Sequence, residues 1–310
     1  MNLQAMDAAL AAHAHYIDLG GLFHTTFLQR QRHQEFHDAG LMAILGMGSA
    51  PGILNVMAAH LAEPMTEVHE VHCMVGAHDG TLWKTPPLLP FGYSPDTLLD
   101  EFALPSAVFR AGEMQMVPPL DPAERRREVF PDPVGALDLD TTLHSEVATL
   151  PAFFRARGIR EVSFRQGFEA AFADRLRLLV GLGLVDTKGI EIAAGVSVVP
   201  RAVLKTLLGR LATPQAAGPI DRHEILRVRV IGVEAGRRRS VTMDCHAGAD
   251  AGGGIGPDID TGAPPSIAAQ LLGDELAIRP GVFASEEVVP WAAFARELQK
   301  RGMTLESGVD

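Results

Sequence analysis

Cysteine is scarce in this 310-residue chain, with Cys73 and Cys245 the only two. Two cysteines cannot build a disulfide framework, and the lack of any C-x-x-C pair removes a zinc ribbon or a dithiol redox site. Aromatic residues make up only 6%, including two tyrosines. Long hydrophobic runs are missing too: the longest, around Leu178 to Val185, falls far below the ~20 residues that cross a bilayer. The N-terminus carries neither a basic segment nor a sustained apolar one, so a cytoplasmic protein with no membrane partner is expected. Positive charge is short, 27 Lys and Arg against 38 Asp and Glu, for a net charge of −11. Nucleic acid is therefore an unsuitable partner, because phosphate binding needs a concentrated basic surface. The runs Arg125–Arg127 and Arg237–Arg239 read as a solvated loop and a hairpin tip.

What is present is a 47% hydrophobic share, enough for a packed core in two domains. A helix over Met6 to Ala14, a strand over His15 to Leu19, a helix capped by Thr25 or Thr26 and running past His37 to Gly40, and a strand at Leu41–Leu45 follow one another. This spacing predicts βαβ units of a parallel sheet. Past Pro64 the alternation of Val68, Glu70, His72 and Met74 predicts a strand in a mixed or antiparallel sheet. Proline-rich loops cover 86–95 and 118–133, a strand 159–167, and a helix 168–182. A hairpin joins 225–233 to 240–245. After a flexible stretch from Gly248 to Gly256, the segment from Asp260 to Ser266 caps a helix through Leu272, and a last helix spans Trp291 to Arg301. The expected organisation is an α/β chain with residues 1–63 as part of a dinucleotide-binding unit, 64–248 as an α+β substrate domain and 249–310 as the return to the first unit.

The segment Gly46-Met47-Gly48-Ser49-Ala50-Pro51-Gly52 lies between the apolar Leu41–Leu45 and the amphipathic Ile53–Leu61. Strand, glycine turn and helix are the parts of a dinucleotide fingerprint, but Pro51 stands where the third glycine of G-x-G-x-x-G allows close packing. Two readings stand, a phosphate cradle or a turn bordering the cofactor and substrate. The second suits Pro51, which is expected as the first helical residue with Ser49 or Ala50 near the cap.

YIDLGG from Tyr16, GMGSAPGILN from Gly46, FGYS followed by Thr97, Asp100 and Glu101, FPDPVG from Phe130, HSEVATLP from His144, DTGAPPSIAAQ from Asp260, and the ending GVFASEEVVP then FARELQKRG recur in a fixed order. Together they resemble the saccharopine dehydrogenase family, within it the lysine 6-dehydrogenase-like branch. The resemblance covers nearly the whole chain. It implies an incomplete Rossmann-type parallel sheet with an inserted α+β substrate and dimerisation domain. It also implies a homodimer and an NAD- or NADP-linked oxidoreductase that acts on a carbon–nitrogen bond of an amino acid through an imine. Saccharopine reductases of the family carry an acidic residue before the Pro-Gly pair, where this chain has Ala50. Family members also open with a strand, glycine-rich turn and helix, roughly 70 to 80 residues before the YIDLGG-like segment. Against that pattern the first half of the cofactor domain is missing, which leaves a misplaced start, a separate N-terminal half-domain supplied in trans, or a non-catalytic subunit as alternatives.

For amine oxidation a base must take the ammonium proton, and a water must be activated at the imine carbon. Glu146 and His144 are the first candidates, with Ser145 and Thr149 as donors to a substrate carboxylate; an ordinary helix start capped by Ser145 or Thr149 is the alternative. Asp18 ends a strand, where it either holds an ammonium or forms an Asx-turn at Gly20. Asn55, one turn into its helix, and Tyr93, in a proline-rich loop, are candidate substrate contacts. Gly20, Gly48, Ser49, Ala50 and Pro51 border the expected nicotinamide position. No metal site is expected: His33 and His37 lack a third ligand, and His69 and His72 point to opposite faces of a strand. Arg165 and Arg201 are possible carboxylate clamps or solvated cations.

Overall fold

The computed structural model describes residues 1–20, 23–90, 92–248 and 258–309. Gly21, Phe91 and nearly all of the linker expected from Gly248 to Gly256 lie outside the described residues.

The first layer is a parallel sheet of three strands, Tyr16–Ile17, Met42–Leu45 and Gly281–Ala284, with Met42–Leu45 in the middle. A strand covered on both faces can be apolar throughout, and all four residues of Met42–Leu45 are buried. Ala43 and Leu45 turn to one side, where Met6 and Phe36 close a small core. Met42 and Ile44 turn to the other and join the main core. The strand Gly281–Ala284 brings the C-terminal part of the chain back beside the N-terminal part, and its start touches the helix His33–Asp38 through His33 Nδ1 and the Val282 amide, 3.1 Å apart.

The helix Ile53–Ala62 follows, with eight of its ten residues buried. It is apolar almost all round because it is clamped between the first sheet and a second, larger one. That second sheet runs in the order Thr304–Val309, Arg237–Gly248, Arg222–Glu234, Glu67–Asp79, Glu161–Gly167, Ser106–Arg110 and Glu113–Val117, with the pair Arg126–Val129 and Ala136–Thr141 attached to its side. Glu67–Asp79 pairs in parallel with Glu161–Gly167 and antiparallel with Arg222–Glu234, which makes the sheet mixed as the alternation predicts. Val71, Cys73, Val75, Leu226, Val228 and Phe164 form its core face under the helices Ile53–Ala62 and Glu146–Phe153. The opposite face is ionic, with Arg227 held by Asp244 and Glu128.

Several local expectations change. The helix expected through His37 is two, Phe23–Arg30 and His33–Asp38, and Thr25 and Thr26 lie inside the first rather than capping it. The segment Asp260–Ser266 is itself helical, within Ile259–Leu271, rather than a cap. The second proline-rich loop contains the strand Arg126–Val129. Pro51 is not the first helical residue: it follows a cis peptide bond from Ala50, and the helix starts at Ile53 with Gly52 at its cap. Ser49 and Ala50 therefore belong to the turn, not to the helix end. The hairpin holds with longer arms, Arg222–Glu234 and Arg237–Gly248, joined at Ala235 and Gly236, both with positive φ.

Candidate active site

The site lies at the carboxyl ends of the parallel strands, where α/β sheets leave a crevice. Asp18 follows its strand directly and accepts five hydrogen bonds, from the Gly20 and Gly46 amides and from Asn2, Tyr16 and Gln29. The Gly20 bond is the Asx-turn, and the carboxylate also fastens the glycine turn to the neighbouring strand.

The turn itself is folded inward. The Met47 amide donates to Asp18 O at 2.7 Å, the Gly48 amide to Pro51 O at 2.7 Å, and the Ile53 amide to Gly48 O at 2.9 Å. A Cβ on Gly52, whose φ is +136°, would meet Gly48 O at 2.1 Å, and one on Gly20 would meet the Pro51 ring at 2.7 Å. The space beside these glycines is thus filled by the turn's own atoms. A pyrophosphate cradle needs glycines that leave room for the ligand and amides aimed at it. The turn does not fit a pyrophosphate. Its Ser49 Oγ, 3.0 Å from Thr261 Oγ1, forms part of the rim of the crevice.

Inside the crevice, Asn55 binds three ways. Its Oδ1 accepts from the Gly52 amide at 3.2 Å, and its Nδ2 donates to Thr149 Oγ1 at 3.3 Å and Glu286 Oε2 at 3.0 Å. Asn55, Ser145, Thr149, Gly46, Pro51 and Glu286 line a cavity of about 10 Å³, room for one water. Burial pushes the Glu286 carboxyl up to about 7, against the opposing pull of Thr149, its own backbone and Asn55.

A second group adjoins it. His144 Nδ1 lies 2.6 Å from Glu146 Oε2, and Nε2 lies 3.7 Å from Glu101 Oε1. The imidazole stacks on Phe164 with centroids 3.7 Å apart. Burial opposes its charge, but Glu146 and Glu101 outweigh burial and raise its pKa above the ordinary histidine value. Glu101 accepts hydrogen bonds from the Tyr93 hydroxyl and from Gln166 Nε2, and Gln166 also donates to Thr142. Burial raises the Glu101 carboxyl, with His144, Tyr93 and Gln166 pulling the other way. Tyr93 keeps 42% of its surface open while its hydroxyl end reaches the fully buried Glu101. Glu146 and Glu286 are both close enough to the buried Cys73 to raise its thiol further. Glu101 Oε1, Glu146 Oε1 and Glu286 Oε1 are buried with no hydrogen-bond donor among the described residues.

At the rim, Asp260 Oδ1 accepts from Thr261, and the Asp260 side chain lies within hydrogen-bond reach of the Glu224 carboxyl. Burial raises both groups.

The structure thus brings together His144, Ser145, Glu146, Thr149 and Asn55, places Tyr93 against the same cluster, and leaves Asp18, Gly20, Gly48, Ser49, Ala50 and Pro51 in the turn that walls it. Ala50 packs on the main core. Sequence reasoning missed Glu101 as a central acid, together with Gln166, Glu224, Asp260 and Glu286. Glu286 and Asp260 stand in quoted motifs, and acids inside otherwise apolar, buried segments were the available signal. The arginines weighed as clamps or solvated cations lie elsewhere: Arg165 binds Ser163 and the Glu124 carbonyl on the ionic sheet face, and Arg201 pairs with Asp100. His33 and His37 stack with centroids 6.4 Å apart and share no ligand position. His69 and His72 are each bonded to their own i−2 glutamate, and an irregularity in the strand between Val68 and Glu70 breaks the strict alternation expected to separate them. On the ionic face Glu70, His72 and Glu161 have ligand atoms within 4.8 Å of one another, a grouping hidden from the sequence because Glu161 comes from the neighbouring strand.

A parallel-strand crevice walled by an inward glycine turn and joined to a mixed sheet defines a class. Residues 48–303 match the saccharopine dehydrogenase C-terminal domain, and the chain belongs to the saccharopine dehydrogenase family. It is 27% identical over 266 residues to carboxynorspermidine synthase of Vibrio cholerae, covering 83% of this chain and 60% of that protein. It is 26% identical over 311 residues to carboxyaminopropylagmatine dehydrogenase of a Synechocystis species, covering 93% of this chain and 72% of that protein. The chain therefore spans between about 60% and 72% of these two relatives. The fold is that of apo saccharopine dehydrogenase (L-Glu forming) from Saccharomyces cerevisiae, with a TM-score of 0.70 at 15% identity over 98% of this chain and 81% of that one. No helix among the described residues is long and apolar enough to cross a membrane.

Proposed function

We propose that the chain carries the substrate-reacting part of an NAD(P)-dependent oxidoreductase that acts on the carbon–nitrogen bond of a carboxylated polyamine. The observation that carries this reading is the pair of buried carboxyl oxygens, on Glu146 and Glu286, that have no donor among the described residues, beside a Glu101 oxygen that meets only His144 Nε2 at 3.7 Å. Buried acceptors are costly to leave unmet, so the site is built for a ligand rich in N–H donors and positive charge. The names of the relatives, a carboxynorspermidine synthase and a carboxyaminopropylagmatine dehydrogenase, supply the substrate class and move the reading from lysine chemistry to polyamines.

A bound nicotinamide would supply the hydride acceptor in one direction and the donor in the other. The chain's own residues handle the protons. Glu286, poised near neutrality and held by Asn55 and Thr149, takes the proton from the secondary ammonium so that its lone pair is free to form the imine. The one-water cavity beside Glu286 seats the water that adds to the imine carbon. The His144–Glu146 pair carries the proton onward, and the hydroxyl of Ser145 receives the substrate carboxylate. Tyr93 closes the outer side through its bond to Glu101.

The test is to follow NAD(P)H absorbance with carboxynorspermidine and each dinucleotide, alongside amine binding by calorimetry. Substrate-dependent absorbance change supports the reading. A protein that neither changes NAD(P)H nor binds any polyamine is not this enzyme.

A further inference from the structure

Asp260 lies in the first turn of Ile259–Leu271, is 2% exposed, and its Oδ2 has no donor among the described residues. The carboxyl it meets is that of Glu224, near the start of Arg222–Glu234 on the face of the sheet that carries Leu226 and Cys245. Two carboxyl groups in contact cannot both ionise, so they share one proton unless a cation takes its place. The position is at the rim of the crevice: Thr261 ties Asp260 to Ser49 of the glycine turn, and Glu224 is near enough to act on the Tyr93 hydroxyl. The other charged or titratable neighbours are Arg222 and Asp258 beside Glu224, and the buried Cys245, which also feels Asp244. Neither acid has a part in the chemistry assigned to Glu286 and His144.

We propose that Glu224 and Asp260 form the subsite for a second ammonium of the substrate, remote from the reacting nitrogen, and that this ammonium displaces the proton the two acids share. The balance is simple: one carboxylic acid, one carboxylate and one alkylammonium become two carboxylates bonded to the ammonium, and one proton passes to the buffer. Such a subsite selects a polyamine over a monoamine. It presupposes that the crevice binds amines at all.

The experiment is isothermal titration of the purified chain with norspermidine and with propylamine, each in phosphate and in Tris, whose different ionisation heats report proton release. Wild-type protein should bind norspermidine at least about tenfold more tightly than propylamine and release more protons with it. Asp260→Asn and Glu224→Gln should each weaken norspermidine by roughly ten- to hundredfold, remove the extra proton and leave propylamine unchanged. Variants that keep both the preference and the proton release overturn the subsite while leaving the amine reading intact. Wild-type protein that binds neither amine overturns both. If a variant does not fold, the excess proton release of the wild type decides the matter, and its absence overturns the proposal.

Discussion

His144 and Glu146 are joined at 2.6 Å between Nδ1 and Oε2, two residues apart at the start of the helix Glu146–Phe153. With Glu101 on the far side of the ring and Phe164 stacked against it, the imidazole is held between two buried acids that favour its charged form.

That arrangement has a pH signature. His144 has a raised pKa in the folded state, so its contribution to stability is fully present below about 6.5, the unfolded value, and is lost as pH rises through the folded value. His144→Gln should remove that part of the alkaline loss. It should also destabilise the protein by about 3 kcal/mol at pH 6, because Glu146 and Glu101 are left without their partner. Thermal melts from pH 5 to 9 check both.

Glu286 acts in the same direction. Its carboxyl is raised to about 7, so holding it buried becomes costlier between pH 4.5 and 7, by about 3 kcal/mol in total. Glu286→Gln should therefore melt higher than wild type at pH 8 while turnover falls at least ~100-fold. Glu146→Gln should lower turnover on the same scale without raising the melting temperature; near wild-type rates for either variant would remove that residue from the proton path.

Asn55 supports Glu286 and the helix cap together. Asn55→Asp would set a second carboxylate beside Glu286 in place of a donor, so the acidic limb of the pH–rate profile assigned to Glu286 should move to higher pH. Asn55→Ala should cost about 2 kcal/mol in urea denaturation, since the Gly52 amide loses its acceptor and Glu286 a donor.

Gly52→Ala tests the inward turn. Its Cβ would sit 2.1 Å from a backbone oxygen at a φ of +136°, so the turn must open or the protein unfold, at a cost of about 4 kcal/mol or more. Equilibrium unfolding that matches wild type would show that the turn is looser than its contacts.

The strands Tyr16–Ile17 and Met42–Leu45 and the hairpin Arg222–Gly248 were legible because their patterns are local: an apolar run ended by glycine, and two alternating segments joined by a tight turn. Pro51 misled because proline before a helix usually starts it, whereas here the Gly48–Gly52 contact closes the turn first and Gly52 takes the cap. His144, Glu146 and Thr149 stood out as an imidazole, a carboxylate and a hydroxyl within a few residues of one another, and Asn55 as a polar residue one turn into its helix, and they converge. Glu101, Gln166 and Glu224 did not, because each looks like an ordinary surface residue until its strand or helix is packed.

By itself the sequence determined the class of the chain, through the order of its motifs, and its acidic, disulfide-free character. Only the tertiary structure decided which acids lose water. Glu101, Glu146, Glu224, Asp260 and Glu286 come from five separated segments, and nothing in their spacing brings them together. Burial raises Glu101, Glu224, Asp260 and Glu286 and leaves Glu146, Asp260 and Glu286 each with an oxygen in want of a donor; desolvation is a property of the packed surroundings, not of the residue.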